Sequence, residues 1–99
     1  MKQDKQKEIN ELYEAILKLE TLEECQRFFR DLLTDTEIRE IAERWKVAKL
    51  LSQGIPYAKI EEETGVSSRT IARVGRWLKQ GKGGYSLLLK KTNSTPEDE

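Results

Sequence analysis

From Ile9 onward the apolar residues fall at Ile9, Leu12, Tyr13, Ile16 and Leu17, with Lys and Glu between them. Steps of three and four place them on one stripe of a helix, so a first helix with one buried stripe is expected. Thr21-Leu22-Glu23-Glu24 reads as a capping box, in which the Thr21 hydroxyl accepts from the Glu24 amide and the Glu24 carboxylate reaches back. The helix it opens carries Leu22, Cys25, Phe28, Phe29, Leu32 and Leu33. Thr34-Asp35-Thr36-Glu37 repeats the box and starts a third and longest helix, with Ile38, Ile41, Ala42, Trp45, Ala48 and Leu51 expected inward. It should stop before Gly54, a left-handed C′ residue.

Ile55-Pro56 follows, and proline suits the last loop position or the first helical turn, so a short fourth helix should run from Pro56 or Tyr57 to about Thr64. Gly65 supplies a tight turn, Ser67 is a natural N-cap, and residues 68–79 form a fifth helix. Gly81-Lys82-Gly83-Gly84 is a break. Beyond it Tyr85, Leu87, Leu88 and Leu89 predict one more short helix packing back, and residues 93–99 read as a disordered acidic tail. No strand-like alternation persists, so the expected class is all-α with about six helices.

Between Tyr57 and Arg76, YAKIEEETGVSSRTIARVGR fits a helix-turn-helix, a motif that continues to about Trp77: a short helix, a glycine in the turn and a second helix. Ile60, Val66, Ile71 and Val74 would pack between the two helices, leaving Ser67, Ser68, Arg69, Ala72, Arg73 and Arg76 facing out. Glu61 stands where many such units place alanine against the partner helix.

Charge strengthens this reading. The chain has 18 basic and 18 acidic residues and a formal net charge of zero, but the charges are segregated. Residues 1–64 carry 11 basic and 15 acidic side chains, residues 65–91 carry 7 basic and no acidic ones, and residues 92–99 carry 3 acids. Screening limits each charge to a reach of roughly 8–10 Å, so the local +7 block matters to phosphates more than the neutral total.

A helix lying in the major groove turns its N-terminal residues to base edges and its flanking cations to phosphates. Arg69, early on the helix and long, is therefore assigned a bidentate contact to guanine, with Ser68 and Thr70 nearby, although Thr70 can instead face the third helix. Lys79, Lys82, Lys90 and Lys91 are candidate phosphate contacts, as is Arg73, and Tyr57 is a candidate for the DNA backbone.

A chain of 99 residues has room for one core and one main activity. Its hydrophobic fraction of 36% is sparse for so small a monomer, and sharing a core between two chains would relieve this. One cysteine, Cys25, excludes an intramolecular disulfide and is expected to be a buried thiol; with no histidine, a Cys/His zinc site is not expected. No stretch approaches the roughly 20 apolar residues of a membrane span, and the first residues lack the apolar core of a signal peptide, so a cytoplasmic location is expected.

From about Phe28 to Leu78 the chain resembles the Trp repressor superfamily, through LLTDTEIREIAERWKVAKLLSQG and the reader TGVSSRTIAR; its length, spacing and C-terminal GGYSLLLKK are similar to the TrpR-related YerC/YecD group. The resemblance implies an intertwined homodimer, with residues 1–91 as one domain: residues 1–53 the dimerisation helices and residues 56–79 the helix-turn-helix. It also implies a place for a tryptophan corepressor, since Thr34, Arg44, Thr70 and Arg73 match that family pattern. Val74 and Trp77, however, replace the small residues that leave room for an indole, so the site is expected to be vestigial and DNA binding to need no tryptophan.

With no histidine, no glycine-rich phosphate loop and no nucleophile beside a base, enzymatic activity and a cofactor are not expected. The preferred reading is a homodimeric, sequence-specific regulator of transcription, a repressor, on double-stranded palindromic DNA. Two others stay open: an interaction or DNA-architecture module of the replication-associated kind, and a tryptophan-responsive repressor.

Overall fold

The computed structural model describes residues 2–92, with side chains from Asp4 onward. Among these residues it contains six helices and no strand: α1 (Lys2–Ile16), α2 (Leu22–Leu32), α3 (Asp35–Ser52), α4 (Tyr57–Thr64), α5 (Ser68–Gln80) and α6 (Gly84–Lys91). The acidic tail expected at residues 93–99 lies outside the described residues. The chain divides into two compact units, Met1–Ile38 and Arg39–Glu99, with the boundary inside α3.

In the first unit both helix starts are closed by side chains. The Thr34 hydroxyl accepts from the Glu37 amide at 3.1 Å while the Glu37 carboxylate accepts from the Thr34 amide at 2.9 Å, a complete capping box. At α2 the Thr21 hydroxyl accepts from the Glu24 amide at 3.1 Å, but the Glu24 carboxylate reaches one residue further back, to the Glu20 amide at 2.8 Å. Arg30 and Asp35 form an ion pair, and the rings of Phe28 and Phe29 meet edge to face with centroids 5.3 Å apart.

The buried stripe expected on α1 is not buried within this chain. Ile9, Tyr13 and Leu17 are exposed, as is Leu22 at the start of α2, with Leu17 80% and Leu22 75% accessible. No described side chain of residues 4–38 is fully buried, and Cys25, expected inside, is half-buried. Two helices and one turn of a third offer too little partner surface to close a core.

The second unit does close one. Val47 and Ala48 from α3, Ile60 from α4, Val66 from the turn and Ile71 and Val74 from α5 form its centre, flanked by half-buried Leu50, Leu51, Ile55 and Tyr85. Leu89 brings α6 inward and is 1% exposed. At 100° per residue, Val47 lies on the side of α3 opposite Ile38, Ala42 and Trp45. The helix thus changes its apolar face along its length, and the inward placement expected for Ile41 and Ala42 is corrected, since both are exposed. The cause is packing: α4 and α5 claim the Val47 side of its C-terminal half.

The end of α3 follows the expected chemistry. Gly54 has φ +82°, its N–H donates to the Leu51 carbonyl at 3.0 Å, and the Ile55 N–H donates to the Leu50 carbonyl at 3.1 Å. This Schellman pair satisfies two carbonyls the helix leaves open and returns half-buried Ile55 to the core.

Candidate nucleic-acid interface

The chain reverses between α4 and α5 over three residues, and side-chain oxygens hold the turn. The Thr64 hydroxyl donates to the Ile60 carbonyl at 2.7 Å and accepts from the Val66 amide at 3.1 Å. Gly65, at φ +74°, caps α4 in the left-handed region that a Cβ disfavours. Val66 then drops into the core, and Ser67 caps α5: its Oγ accepts from the Thr70 amide at 3.2 Å and donates to the Thr70 hydroxyl at 3.1 Å. Thr70 is half-buried and engaged in the cap.

The sequence of α5 sorts by helical angle into two faces. Ile71, Val74 and Gly75 are buried and Leu78 half-buried on one side. On the opposite side Arg69, Arg73 and Arg76 are exposed, Ala72 and Lys79 are exposed on its flank, and Ser67 and Ser68 are exposed at its N-terminal end. Among the described residues the ion pairs are Arg30 with Asp35 and Lys59 with Glu63, so the cations of α5 have no acidic partner to give up on meeting a phosphate. Lys82, Lys90 and Lys91, from the loop and from α6, are exposed as well.

Glu61, which stands where many such units place alanine against the partner helix, is exposed, so its carboxylate incurs no desolvation. Ile60 takes the inward position expected for it and is fully buried.

Tyr57, the first residue of α4, is 47% exposed, yet its hydroxyl ends over the middle of α5. A Cβ placed on Gly75 would lie 2.4 Å from that oxygen. Sequence reasoning missed this contact. A lone glycine inside a helical pattern, which costs roughly 1 kcal/mol relative to alanine, is itself the signal of a close approach.

Within the second unit, the residues of the expected vestigial pocket do not all line one groove. Arg44 and Trp77 line a groove of about 580 Å³ in the second unit, together with Trp45, Lys82, Tyr85 and Leu88. Thr70 and Arg73 are not among its lining residues, Val74 is part of the packed core, and Thr34 caps α3 at the end of the first unit. Trp77 is 53% exposed at this groove.

Two short helices crossing at a glycine turn, the second bearing a free basic face, define a helix-turn-helix protein. The chain belongs to the Trp repressor family: the family model for Trp repressor protein matches residues 7–93. This is a family of DNA-binding regulators. The chain is 47% identical over 89 residues to the uncharacterized protein YerC of Bacillus subtilis (strain 168), covering 90% of this chain and 86% of that one. Among solved structures it is similar to a Staphylococcus aureus protein provisionally assigned as a Trp repressor, at TM-score 0.83 and 47% identity, covering 86% of this chain and 85% of that one. It is also similar to a TrpR-like protein from Eubacterium eligens ATCC 27750, at TM-score 0.86 and 37% identity over 90% of this chain and 92% of that one. No described helix is long and apolar enough to cross a membrane.

Proposed function

We propose that this protein is a sequence-specific repressor of transcription that reads a palindromic operator as a homodimer and needs no tryptophan to do so. The observation that carries the reading is the face of α5 opposite its buried side, where Arg69, Arg73 and Arg76 stand exposed, with Lys79 on its flank and no acidic partner among the described residues. On DNA, Arg69 takes a guanine edge, Ser68 and Thr70 contribute beside it, and Ala72 offers a methyl to the groove. Ser67, at the cap, and Arg73, Arg76 and Lys79 hold phosphates or sugar beside it, and the exposed part of Tyr57 takes a backbone contact from α4. Lys82, Lys90 and Lys91 extend the phosphate track.

The dimer is supported by the uncovered apolar side chains of the first unit, Leu17 and Leu22 above all, which a second copy would shelter. Two reading helices would then meet half-sites about one helical turn, ~34 Å, apart. Independence from tryptophan is supported by Val74, which occupies core volume where the tryptophan-sensing pattern has a small residue, and by Trp77, whose own indole lines the groove beside Arg44.

Selection from random-sequence duplexes at physiological salt, with tryptophan absent, tests this reading. Enrichment of one palindrome is the expected result. Enrichment only when tryptophan is added would replace it with corepressor control, and calorimetry showing stoichiometric micromolar tryptophan binding would do the same. No enrichment under either condition would favour an interaction module.

A further inference from the structure

We propose that Tyr57 is a positioning residue for α5, its hydroxyl seated in a notch that exists because residue 75 has no side chain. The inference goes beyond the DNA-contact reading of Tyr57, because it gives the hydroxyl a seat against α5 inside the protein. It rests on three distances from the place a Cβ on residue 75 would take: 2.4 Å to Tyr57 Oη, 3.5 Å to Tyr57 Cζ and 3.6 Å to Leu51 Cδ1. Only the first is shorter than real Cβ contacts allow; the other two are ordinary van der Waals separations. The room denied to residue 75 is therefore denied by one oxygen atom.

That oxygen is the far end of a half-exposed side chain, so a Cβ at residue 75 must either turn the ring outward or push α5 away, and the test below tells the two apart. Tyr57 sits in the first turn of α4, Gly75 is buried in the middle of α5, and Leu51, the third member of the contact, is half-buried against the core. The tyrosine thus spans from the start of one helix of the motif to the waist of the other, far from the Gly65 turn that joins them in sequence. The turn fixes one end of the crossing and Tyr57 fixes a second point. Two points fix the direction of a rod where one leaves it to pivot. Because Arg69, Arg73 and Arg76 lie on the side of α5 opposite its buried face, any displacement at the notch is carried to the basic face.

The test is a cycle of Gly75→Ala, Tyr57→Phe and both together, in the full chain. With Tyr57 in place, Gly75→Ala should shift the backbone amide resonances of residues 68–80 as a group. It should also lower affinity for the selected duplex at least tenfold, with less loss on random DNA. In the Tyr57→Phe background, where the offending oxygen is gone, the same alanine should leave those resonances and the affinity where Tyr57→Phe alone puts them. Comparison within that background removes any phosphate contact the hydroxyl makes. If Gly75→Ala alone does not fold, recovery of a folded spectrum in the double variant carries the same meaning. Equal damage from alanine in both backgrounds overturns the proposal. The amide shifts need no DNA, so a chain in which they behave as expected but which enriches no duplex would keep the notch and lose the operator reading.

Discussion

The rings of Trp45 and Tyr85 lie almost parallel, 19° apart in plane, with centroids separated by 6.4 Å. This offset stack joins the middle of α3 to the first turn of α6, which begins only after the glycine-rich break. Leu89, also on α6, is buried. Offset aromatic pairs contribute roughly 0.5–1.5 kcal/mol beyond their buried area. Tyr85→Ala should therefore cost about 1–3 kcal/mol, read in denaturant melts, and should move the Trp45 indole N–H resonance. A melt unchanged within error would mean that the stack contributes nothing to holding α6.

Ser67 holds two roles that can be separated. Its hydroxyl caps α5, and Ser67→Ala should lose about 1 kcal/mol of stability. Aspartate caps as well as serine, so Ser67→Asp should melt within about 0.5 kcal/mol of the parent. The new charge, however, faces phosphates, where about 1 kcal/mol of repulsion at 4 Å in water weakens binding at least about fivefold. A stable Ser67→Asp protein that binds DNA as well as the parent would remove the cap region from the interface.

Arg69 and the α6 lysines should fail in different ways. Arg69→Ala should reduce affinity for the selected duplex by about 1–3 kcal/mol and flatten the preference at one base pair per half-site. Replacing Lys90 and Lys91 by Ala should weaken binding to all sequences alike and lower the salt slope by about 0.9 per lost phosphate contact. Equal losses for Arg69→Ala on operator and random duplexes would reassign it to the backbone.

Leu17 and Leu22 are the most exposed large apolar side chains of the first unit. In an isolated chain, replacing both by Glu removes almost no packing, so helix content should persist. In a dimer that shelters them, the same change places four charges in an apolar contact. Sedimentation should show the parent at twice the chain mass and the double variant at once that mass. A parent that is already monomeric, or a variant of unchanged mass, would take the dimer surface elsewhere.

What the sequence disclosed was mostly local. Thr21, Thr34, Gly54 and Ser67 each act on amides or carbonyls within five residues of themselves, and all four end or begin a helix as their residue types require. The packing set Ile60, Val66, Ile71 and Val74 was legible too, because the two helices that share it are separated by one turn. Val47 was not, since a single periodic stripe cannot announce that α3 serves α4 and α5 on one side and presents Ile41 and Ala42 on the other. The exposure of Ile9, Tyr13 and Leu17 was hidden for a related reason: periodicity reports which residues seek cover, not whether their own chain provides it. At the basic face, residue type and helical angle sufficed to place Arg69, Arg73 and Arg76 outward. The Tyr57 contact, made by residues eighteen positions apart, depended on how the two helices cross.

The notch at residue 75 also leaves a trace that descent should preserve. Since one oxygen atom stands where a methyl on residue 75 would go, positions 57 and 75 are expected to vary together. Where position 57 is phenylalanine, alanine at 75 should carry no clash and gain helix propensity; where it is tyrosine, glycine should be favoured at 75. Covariation between these two sites, and none between either of them and exposed Lys59, is the historical signature that single hydroxyl should leave.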